Sequence, residues 1–268
     1  MIPNLKLNNG IEIPAIGFGT WQLSEGEEVE QSVSIALKAG YRLIDTAKIY
    51  GNEYGVGKAV RESSLERKEV FITTKLWARD LGFDNAFEAF EESKNNLKLE
   101  YIDLYLIHWP GPSPRVWLDS WRALAQIYQK GDARAVGVSN FEVSHLERLL
   151  DNTTLPPAVN QIEFHPFVYK KQAPILNFCV ANDIVVEAYS PLAQARQMNH
   201  PVILEIAETY SKTPAQVLLR WAIQHGTIPI PRSSNSQRIR ENLDVFDFEL
   251  QEEQMLRLNN LSTGVSVL

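Results

Sequence analysis

The 268-residue chain holds one cysteine, Cys179. A single thiol closes no internal disulfide. It fits a reducing compartment and reads as a small packed hydrophobe rather than a nucleophile. Positive charge is also scarce, with 26 Lys and Arg against 33 Asp and Glu and a net charge of −7. Such a chain lacks the footprint of a nucleic-acid binder, although a local basic pocket is still allowed. No apolar run is long enough to span a membrane. The start, Met1-Ile2-Pro3-Asn4, lacks the charged-then-apolar pattern of a signal peptide, so a cytoplasmic location is expected. No linker rich in Pro, Gly and Ser and no low-complexity tract divides the chain.

Several chemical signatures are missing as well. A dinucleotide fingerprint needs three spaced glycines after a strand. Here Gly17-Phe18-Gly19 is followed by Thr20-Trp21-Gln22, and the third glycine is absent. Gly51…Gly57-Lys58 has phosphate-loop character, but its spacing is too long and Ala59 replaces the metal-binding hydroxyl. No His-Glu-x-x-His and no paired cysteines occur, so no metal site is expected. Glu163-Phe164-His165 could supply metal ligands but reads as a strand end followed by a loop.

What remains is ordinary globular composition, 44% hydrophobic and 22% charged, arranged in alternation. Strands are predicted at Ile16–Phe18, Leu43–Asp45, Val70–Lys75, Ile102–Ile107, Ala135–Val138, Val159–Glu163, Val185–Tyr189 and Ile228–Ile230. They are short and not strictly alternating, as parallel strands covered on both faces are. Helical spacing separates them at Val29–Ala39, Glu53–Arg61, Asn85–Leu97, Leu118–Gln129, Val143–Leu150, Gln172–Ala181, Pro214–His225 and Ser236–Leu243. Gly40, Gly131 and Gly226 stand where helices close, and Ser144-x-x-Glu147 has the pattern of a capping box.

Eight strand-then-helix units point to an α/β fold, a (β/α)8 TIM barrel. An open doubly wound sheet is the alternative. Leu5–Leu7 and Ile11–Ile13 flank Asn9-Gly10, a hairpin signal expected to cap the barrel's N-terminal end, and Gln251–Asn260 reads as an extra C-terminal helix. The length alone allows one domain or two. The eight units fill 1–268 as a single barrel domain.

Barrel chemistry sits at the C-terminal ends of strands. Three consecutive predicted strands end there in Asp45, Lys75 and His108, and Tyr50 follows the first. Singly, each has an ordinary reading: a helix cap, a solvated lysine, a packed histidine, a loop tyrosine. Together they form an acid–base set. A phenol with a pKa of about 10 is a poor acid at neutral pH. A neighbouring ammonium, Lys75, is expected to lower that value, and Asp45 to keep Lys75 charged. His108 is placed to orient a carbonyl oxygen. The set suits proton delivery to an oxygen that gains negative charge, as in carbonyl reduction by hydride.

These residues belong to longer stretches: Gly17-Phe18-Gly19-Thr20-Trp21, Gly40 through Ala47 with Tyr50-Gly51-Asn52-Glu53, Thr73-Thr74-Lys75-Leu76-Trp77 and Asp103 through Pro110. Others are Gly137-Val138-Ser139-Asn140-Phe141, Asn160 through Pro166, Ala188-Tyr189-Ser190-Pro191-Leu192 and Ile230-Pro231-Arg232-Ser233. With them the chain resembles the aldo-keto reductases over nearly its whole length. The pattern is most similar to the microbial and protozoan branch of 2,5-diketo-D-gluconate reductases and prostaglandin F synthases.

The resemblance implies NADPH-dependent reduction of aldehydes and ketones, with Asp45, Tyr50, Lys75 and His108 as the catalytic tetrad and Tyr50 as proton donor. It implies a nicotinamide site formed by Tyr189, which stacks on the ring, and by Ser139, Asn140 and Gln161, with Gly19, Thr20, Trp21 and Asp45 in the cofactor set. Ser190 and Leu192 lie beside the pyrophosphate. Arg232, Ser233, Ser234 and Arg238 match the 2′-phosphate site, and Glu241 and Asn242 the adenine contacts. Two guanidiniums suit a phosphate, which separates NADP from NAD. Many members carry lysine at position 232.

Trp21, Trp77 and Trp109 are expected at an apolar substrate mouth with Ala47, Tyr50 and His108, which suits small carbonyl compounds with relaxed specificity. Family habit implies a monomer. The short loops His108–Val116 and Tyr189–Pro201, and a tail of only Ser262–Leu268, imply an open pocket. Two further readings are a Schiff-base aldolase on Lys75, against which Asp45 speaks, and a non-enzymatic nicotinamide sensor of the same fold.

Overall fold

The computed structural model describes residues 2–267; Met1 and Leu268, the ends of the leader and tail expectations, lie outside them. Strands β1 (Asn4–Lys6) and β2 (Glu12–Pro14) form the antiparallel hairpin, one residue displaced from the expected runs. Eight parallel strands follow: β3 (Phe18–Gly19), β4 (Leu43–Asp45), β5 (Phe71–Leu76), β6 (Ile102–Ile107), β7 (Ala133–Ser139), β8 (Val159–Glu163), β9 (Val185–Tyr189) and β10 (Ile228–Pro229). Each pairs with its sequence neighbour, from β3 round to β10.

The two ends of that sheet meet. Gly17 N–H donates to Pro229 O at 3.0 Å and Gly19 N–H to Pro231 O at 3.0 Å. The closure needs glycine, because a Cβ on Gly19 would lie 2.9 Å from Ile230 O. The fold is thus the expected (β/α)8 barrel. β4, β6, β8 and β9 have the predicted bounds. β10 is shorter, since Pro229 and Pro231 have no N–H to give to a ladder.

The outer ring comprises α1 (Glu27–Ala39), α2 (Glu53–Arg61), α3 (Phe83–Leu97), α4 (Pro114–Lys130), α5 (Val143–Asp151), α6 (Tyr169–Ala181), α7 (Pro201–Tyr210), α8 (Pro214–Gln224), α9 (Ser236–Glu241) and α10 (Glu252–Asn259). Gly40 and Gly131 close α1 and α4 in left-handed conformations, with φ of 117° and 81°. Gly226, φ 75°, lies just beyond α8. The Ser144 capping box does not form. Helix α5 starts at Val143, and its cap is Glu142, whose N–H donates to His145 Nδ1 at 3.2 Å.

Helix α7 is an addition to the expected set. Pro201 is its first residue, where the missing N–H costs nothing, and Ile203, Ile206 and Ala207 bury one face. The stretch after β9 is therefore a short loop followed by two consecutive helices. Among the described residues no helix is long and apolar enough to cross a membrane.

Inside the barrel, Leu43, Phe71, Leu104, Leu106, Ala135, Val159 and Ile228 pack with Leu7 and Ile13 of the hairpin. The hairpin turn is anchored to the starts of β7 and β8: Asn9 Nδ2 donates to Arg134 O and Asn8 Nδ2 to Pro157 O, each at 3.0 Å. The N-terminal end is thereby plugged by apolar side chains, and the barrel opens at the other end.

Candidate active site

At the open end, β4 and β5 pair with Asp45 opposite Thr73, and Lys75, two residues further along β5, reaches Asp45 with its side chain. Lys75 is fully buried. Its Nζ lies 2.7 Å from Asp45 Oδ1, 2.9 Å from Thr46 O and 3.4 Å from Tyr50 Oη. An ammonium has three N–H donors, and all three are used. Burial works against the charge, but Asp45, Tyr50 and Glu187 outweigh it and hold Lys75 above its ordinary value. A lysine so held is protonated and not nucleophilic, which argues against Schiff-base chemistry.

Tyr50 sits in a helical turn, Lys48–Tyr50, directly after β4. The sequence reasoning expected Lys75 to lower its pKa. Lys75 does pull it down, but burial is the larger effect and Asp45 adds to it, so Tyr50 lies above its ordinary value. At neutral pH it is a protonated phenol.

His108, just past β6, is 8% exposed. Its ring stands edge-on to Tyr50 and Trp77, with centroids 5.8 and 5.2 Å away. Burial and then the Lys75 charge push it well below the ordinary histidine value, so the imidazole is neutral. Its Nδ1 is buried and has no hydrogen-bond partner among the described residues.

A second group comes from the adjoining strands, where Ser139 pairs with Gln161 and Glu163 with Tyr189 in parallel register. Tyr189 Oη donates to Asn140 Oδ1 at 2.8 Å, and Asn140 Nδ2 donates to His108 O and Ser139 Oγ at 3.0 Å. Asn140 reaches these partners from a left-handed backbone, φ 62°. Ser139 Oγ donates to the backbone O of Gln161 at 2.9 Å. Gln161 Nε2 donates to Asp45 Oδ2 at 2.8 Å, which joins this group to the Asp45–Lys75 pair.

A groove of about 1270 Å³ begins at these residues and runs to the N-terminal end of α9. Gly19, Trp21, Asp45, Tyr50, Trp77, His108, Trp109, Asn140, Gln161 and Tyr189 line its inner part. Ser190, Leu192, Arg232, Ser233, Ser234, Arg238, Glu241 and Asn242 line the remainder. Four expected site residues lie behind the wall: Lys75, Ser139, Thr20 and Ala47 are fully buried. Thr20 braces Asp45, its Oγ1 donating to Asp45 O at 2.9 Å. Ala47 precedes the Tyr50 turn and supports that turn rather than the groove surface. Arg232 does not extend freely. Its Nε donates to Trp21 O at 3.0 Å and ties the loop after β10 to the loop after β3.

Sequence reasoning missed Met198, Thr213, Pro214 and Ala215, which border the groove from the segment around α7. The apolar periodicity of Ile203, Ile206 and Ala207 was the available signal. It also missed Glu187, buried mid-strand in β9, for which no motif gives a signal. The tail does not leave the rim bare. Val267 N–H donates to Glu163 Oε1 at 2.8 Å, Ser266 Oγ bonds Glu163 Oε2, and Gln194 Nε2 donates to Val267 O at 3.2 Å. The short tail is thus fastened across the ends of β8 and β9.

The model of the aldo/keto reductase family matches residues 15–263. The chain belongs to that family. A glyoxal reductase of Bacillus subtilis is 47% identical over 96% of this aldo-keto reductase and 92% of its own length. A 9,11-endoperoxide prostaglandin H2 reductase of Trypanosoma cruzi is 45% identical, over 96% and 91%. Among solved structures, an aldo/keto reductase from Brucella melitensis superposes with a TM-score of 0.93 at 44% identity, covering 98% of this chain and 100% of the other. An aldo-keto reductase of Bombyx mori in complex with NADP gives 0.92 at 37% identity, over 100% and 95%.

Proposed function

We propose that this aldo-keto reductase is a single-domain cytoplasmic enzyme that reduces small aldehydes and ketones to alcohols with NADPH. The observation that carries the reading is the buried Asp45–Lys75–Tyr50 chain, at 2.7 and 3.4 Å, beside a neutral His108 at the floor of the groove.

The side chains fit the cofactor. At one end of the groove Arg232 and Arg238 are exposed, and among the described residues neither has a carboxylate within ion-pair distance. Two unneutralised guanidiniums suit a 2′-phosphate. At the other end Tyr189 offers a ring face, and Asn140 and Gln161 offer amides to a carboxamide. Ser190, Leu192, Ser233 and Ser234 would line the path of the pyrophosphate and ribose, and Glu241 and Asn242 would meet the adenine. The solved Bombyx mori relative contains NADP.

Bound NADPH supplies a hydride to the carbonyl carbon. The protein's own groups act on the oxygen. His108, neutral, is placed to donate a ring N–H to the carbonyl oxygen and hold it toward Tyr50. Tyr50 donates its proton as negative charge develops there, and Lys75, charged and fixed by Asp45, stabilises the phenolate left behind. Trp21, Trp77 and Trp109 give the mouth an apolar lining without paired polar groups, which fits relaxed specificity. The test is a steady-state screen of aldehydes, dicarbonyls and ketones with NADPH and NADH in parallel, repeated on Tyr50→Phe. Turnover of several carbonyl classes by the native enzyme and almost none by the variant is expected. A variant that reduces a good aldehyde at the native rate would remove Tyr50 as the donor.

A further inference from the structure

Glu187 lies one layer beneath the groove and is used by none of the steps above. On β9 it shares a barrel-facing side with Val185 below and Tyr189 above, because alternate residues of a strand face the same way. It is 0% exposed. Its Oε2 accepts from Gln161 Nε2 at 2.8 Å, and among the described residues its Oε1 has no hydrogen-bond partner. The other N–H of the same amide donates to Asp45 Oδ2 at 2.8 Å. Asp45 holds Lys75, and Lys75 holds Tyr50. One polar chain therefore runs from Glu187 through Gln161, Asp45 and Lys75 to Tyr50.

We propose that Glu187 is a positioning residue for the reaction, acting through Gln161 on Asp45 and through the buried charges on the Lys75–Tyr50 pair. This rests on the tetrad reading given above. Two consequences follow from the contacts.

The first concerns orientation. Both hydrogens of the Gln161 amide point at carboxyl groups, so its Oε1 faces elsewhere, and among the described residues nothing donates to it. Gln161 borders the groove, and its carbonyl is thereby kept as an acceptor for an amide N–H of the ligand. Without Glu187 only Asp45 would hold the amide.

The second concerns charge. The charged groups acting on Glu187 are Asp45 from β4 and Lys75 from β5. From β8 it meets the uncharged Gln161, and its register partner on β10 is Ile228. Burial and then Asp45 push its carboxyl up to about 8, against the pull of Gln161 and Lys75. It is neutral at pH 7 and charged at alkaline pH. A charged Glu187 favours the ammonium of Lys75 and opposes the phenolate of Tyr50. In alcohol oxidation, where Tyr50 accepts the proton, it therefore delays the alkaline rise in rate.

Two substitutions separate these effects. Glu187→Leu removes the acceptor, and Glu187→Gln keeps an acceptor and the volume but cannot ionise. NADPH binding is read by quenching of tryptophan fluorescence, independently of turnover. Loss of one hydrogen bond predicts roughly 3- to 10-fold weaker binding for Glu187→Leu and about native binding for Glu187→Gln. The pH profile of NADP-linked alcohol oxidation is expected to move to lower pH by about half a unit or more in Glu187→Gln. Native-strength binding by Glu187→Leu, or an unmoved profile in Glu187→Gln, would overturn the assignment. If Glu187→Leu does not fold, the profile of Glu187→Gln still decides. Failure of the tetrad reading looks different: Tyr50→Phe stays active while the binding change in Glu187→Leu persists.

Discussion

Two buried carboxylates lie near opposite ends of the strands and do different work. Asp103, at the start of β6, is saturated. Its Oδ1 takes Arg134 at 2.7 Å, and its Oδ2 takes Arg67 at 2.6 Å and the Ile72 N–H at 2.9 Å. Asp45, at the end of β4, holds one cation, Lys75, and one amide, Gln161. Around Asp103 the charge is balanced by guanidiniums that still reach water, with side chains 18% and 37% exposed. Around Asp45 the partners are themselves buried, and among the described residues three nearby atoms lack a partner, His108 Nδ1, Thr73 Oγ1 and Glu187 Oε1, against one beside Asp103, Arg67 Nε. Native interiors leave few such atoms, and those that remain mark strain, trapped water or chemistry. The closed end holds the barrel together, and the open end keeps polar groups in readiness for a ligand.

The largest expected effect sets the two ends against each other. Tyr50→Phe should lower kcat by about a thousandfold, the range seen for loss of a positioned acid with its electrostatic support, and should move Tm little. Asp103→Ala should do the reverse. It leaves two arginines and a buried N–H without their acceptor, at about 2–3 kcal/mol, toward the low end for buried pairs because the arginines reach solvent. Thermal melting should fall by about 5–10 °C, and kcat of the folded fraction should stay near native. A large kcat loss in Asp103→Ala with unchanged melting would dissolve the distinction.

The same contrast explains what could be read from the sequence. The Asp45, Tyr50, Lys75 and His108 cluster was legible because three of its members stand at or next to strand ends and Tyr50 follows in the turn after β4, where local sequence fixes position. The strands β6, β8 and β9 were legible because a continuous buried run has sharp polar edges. The seam was less so. β3 and β10 pair through glycine and proline positions, and only closure of the barrel reveals that Gly17 and Gly19 donate across it. Helix α7 is hidden in the sequence because Pro201 reads as a loop end, whereas proline also opens helices. The state of Tyr50 was misjudged because the pull of Lys75 can be inferred from type and order, while the larger effect, burial, belongs to the assembled barrel. Glu187 was unreadable for the same reason: its partners come from three other strands.

An intermediate effect is expected at the far end of the groove. Replacing Arg232 by Gly and Arg238 by His should weaken NADPH binding about 10- to 100-fold and NADH binding little, since charge-assisted bonds to a 2′-phosphate contribute about 1.5–3 kcal/mol each before solvent exposure reduces them. Arg232 also holds Trp21 O. A part of the loss common to both cofactors would report that tie, and an equal loss for both would remove the phosphate assignment.

The smallest effect tests whether the open end governs stability against pH. His108 and His225 are both held below their ordinary 6.5 by burial. Beneath pH 6.5 the unfolded chain binds protons that the native histidines refuse, so stability is lost as pH falls. Glu187 has the opposite sign. Its native carboxyl keeps its proton up to about 8, whereas the ordinary value is 4.5. Between those values the native state binds the extra proton, so stability is lost as pH rises. Each group contributes at most about 1.4 kcal/mol per pH unit. From 4.5 to 6.5 the histidines and Glu187 oppose each other, and from 6.5 to 8 Glu187 acts without them. Urea melts should therefore show greatest stability near pH 6.5. Glu187→Gln should flatten the alkaline side and steepen the acid side, because the histidines are then unopposed. A variant with the native profile would mean that Glu187 does not hold its proton above the ordinary carboxylate range in the folded chain.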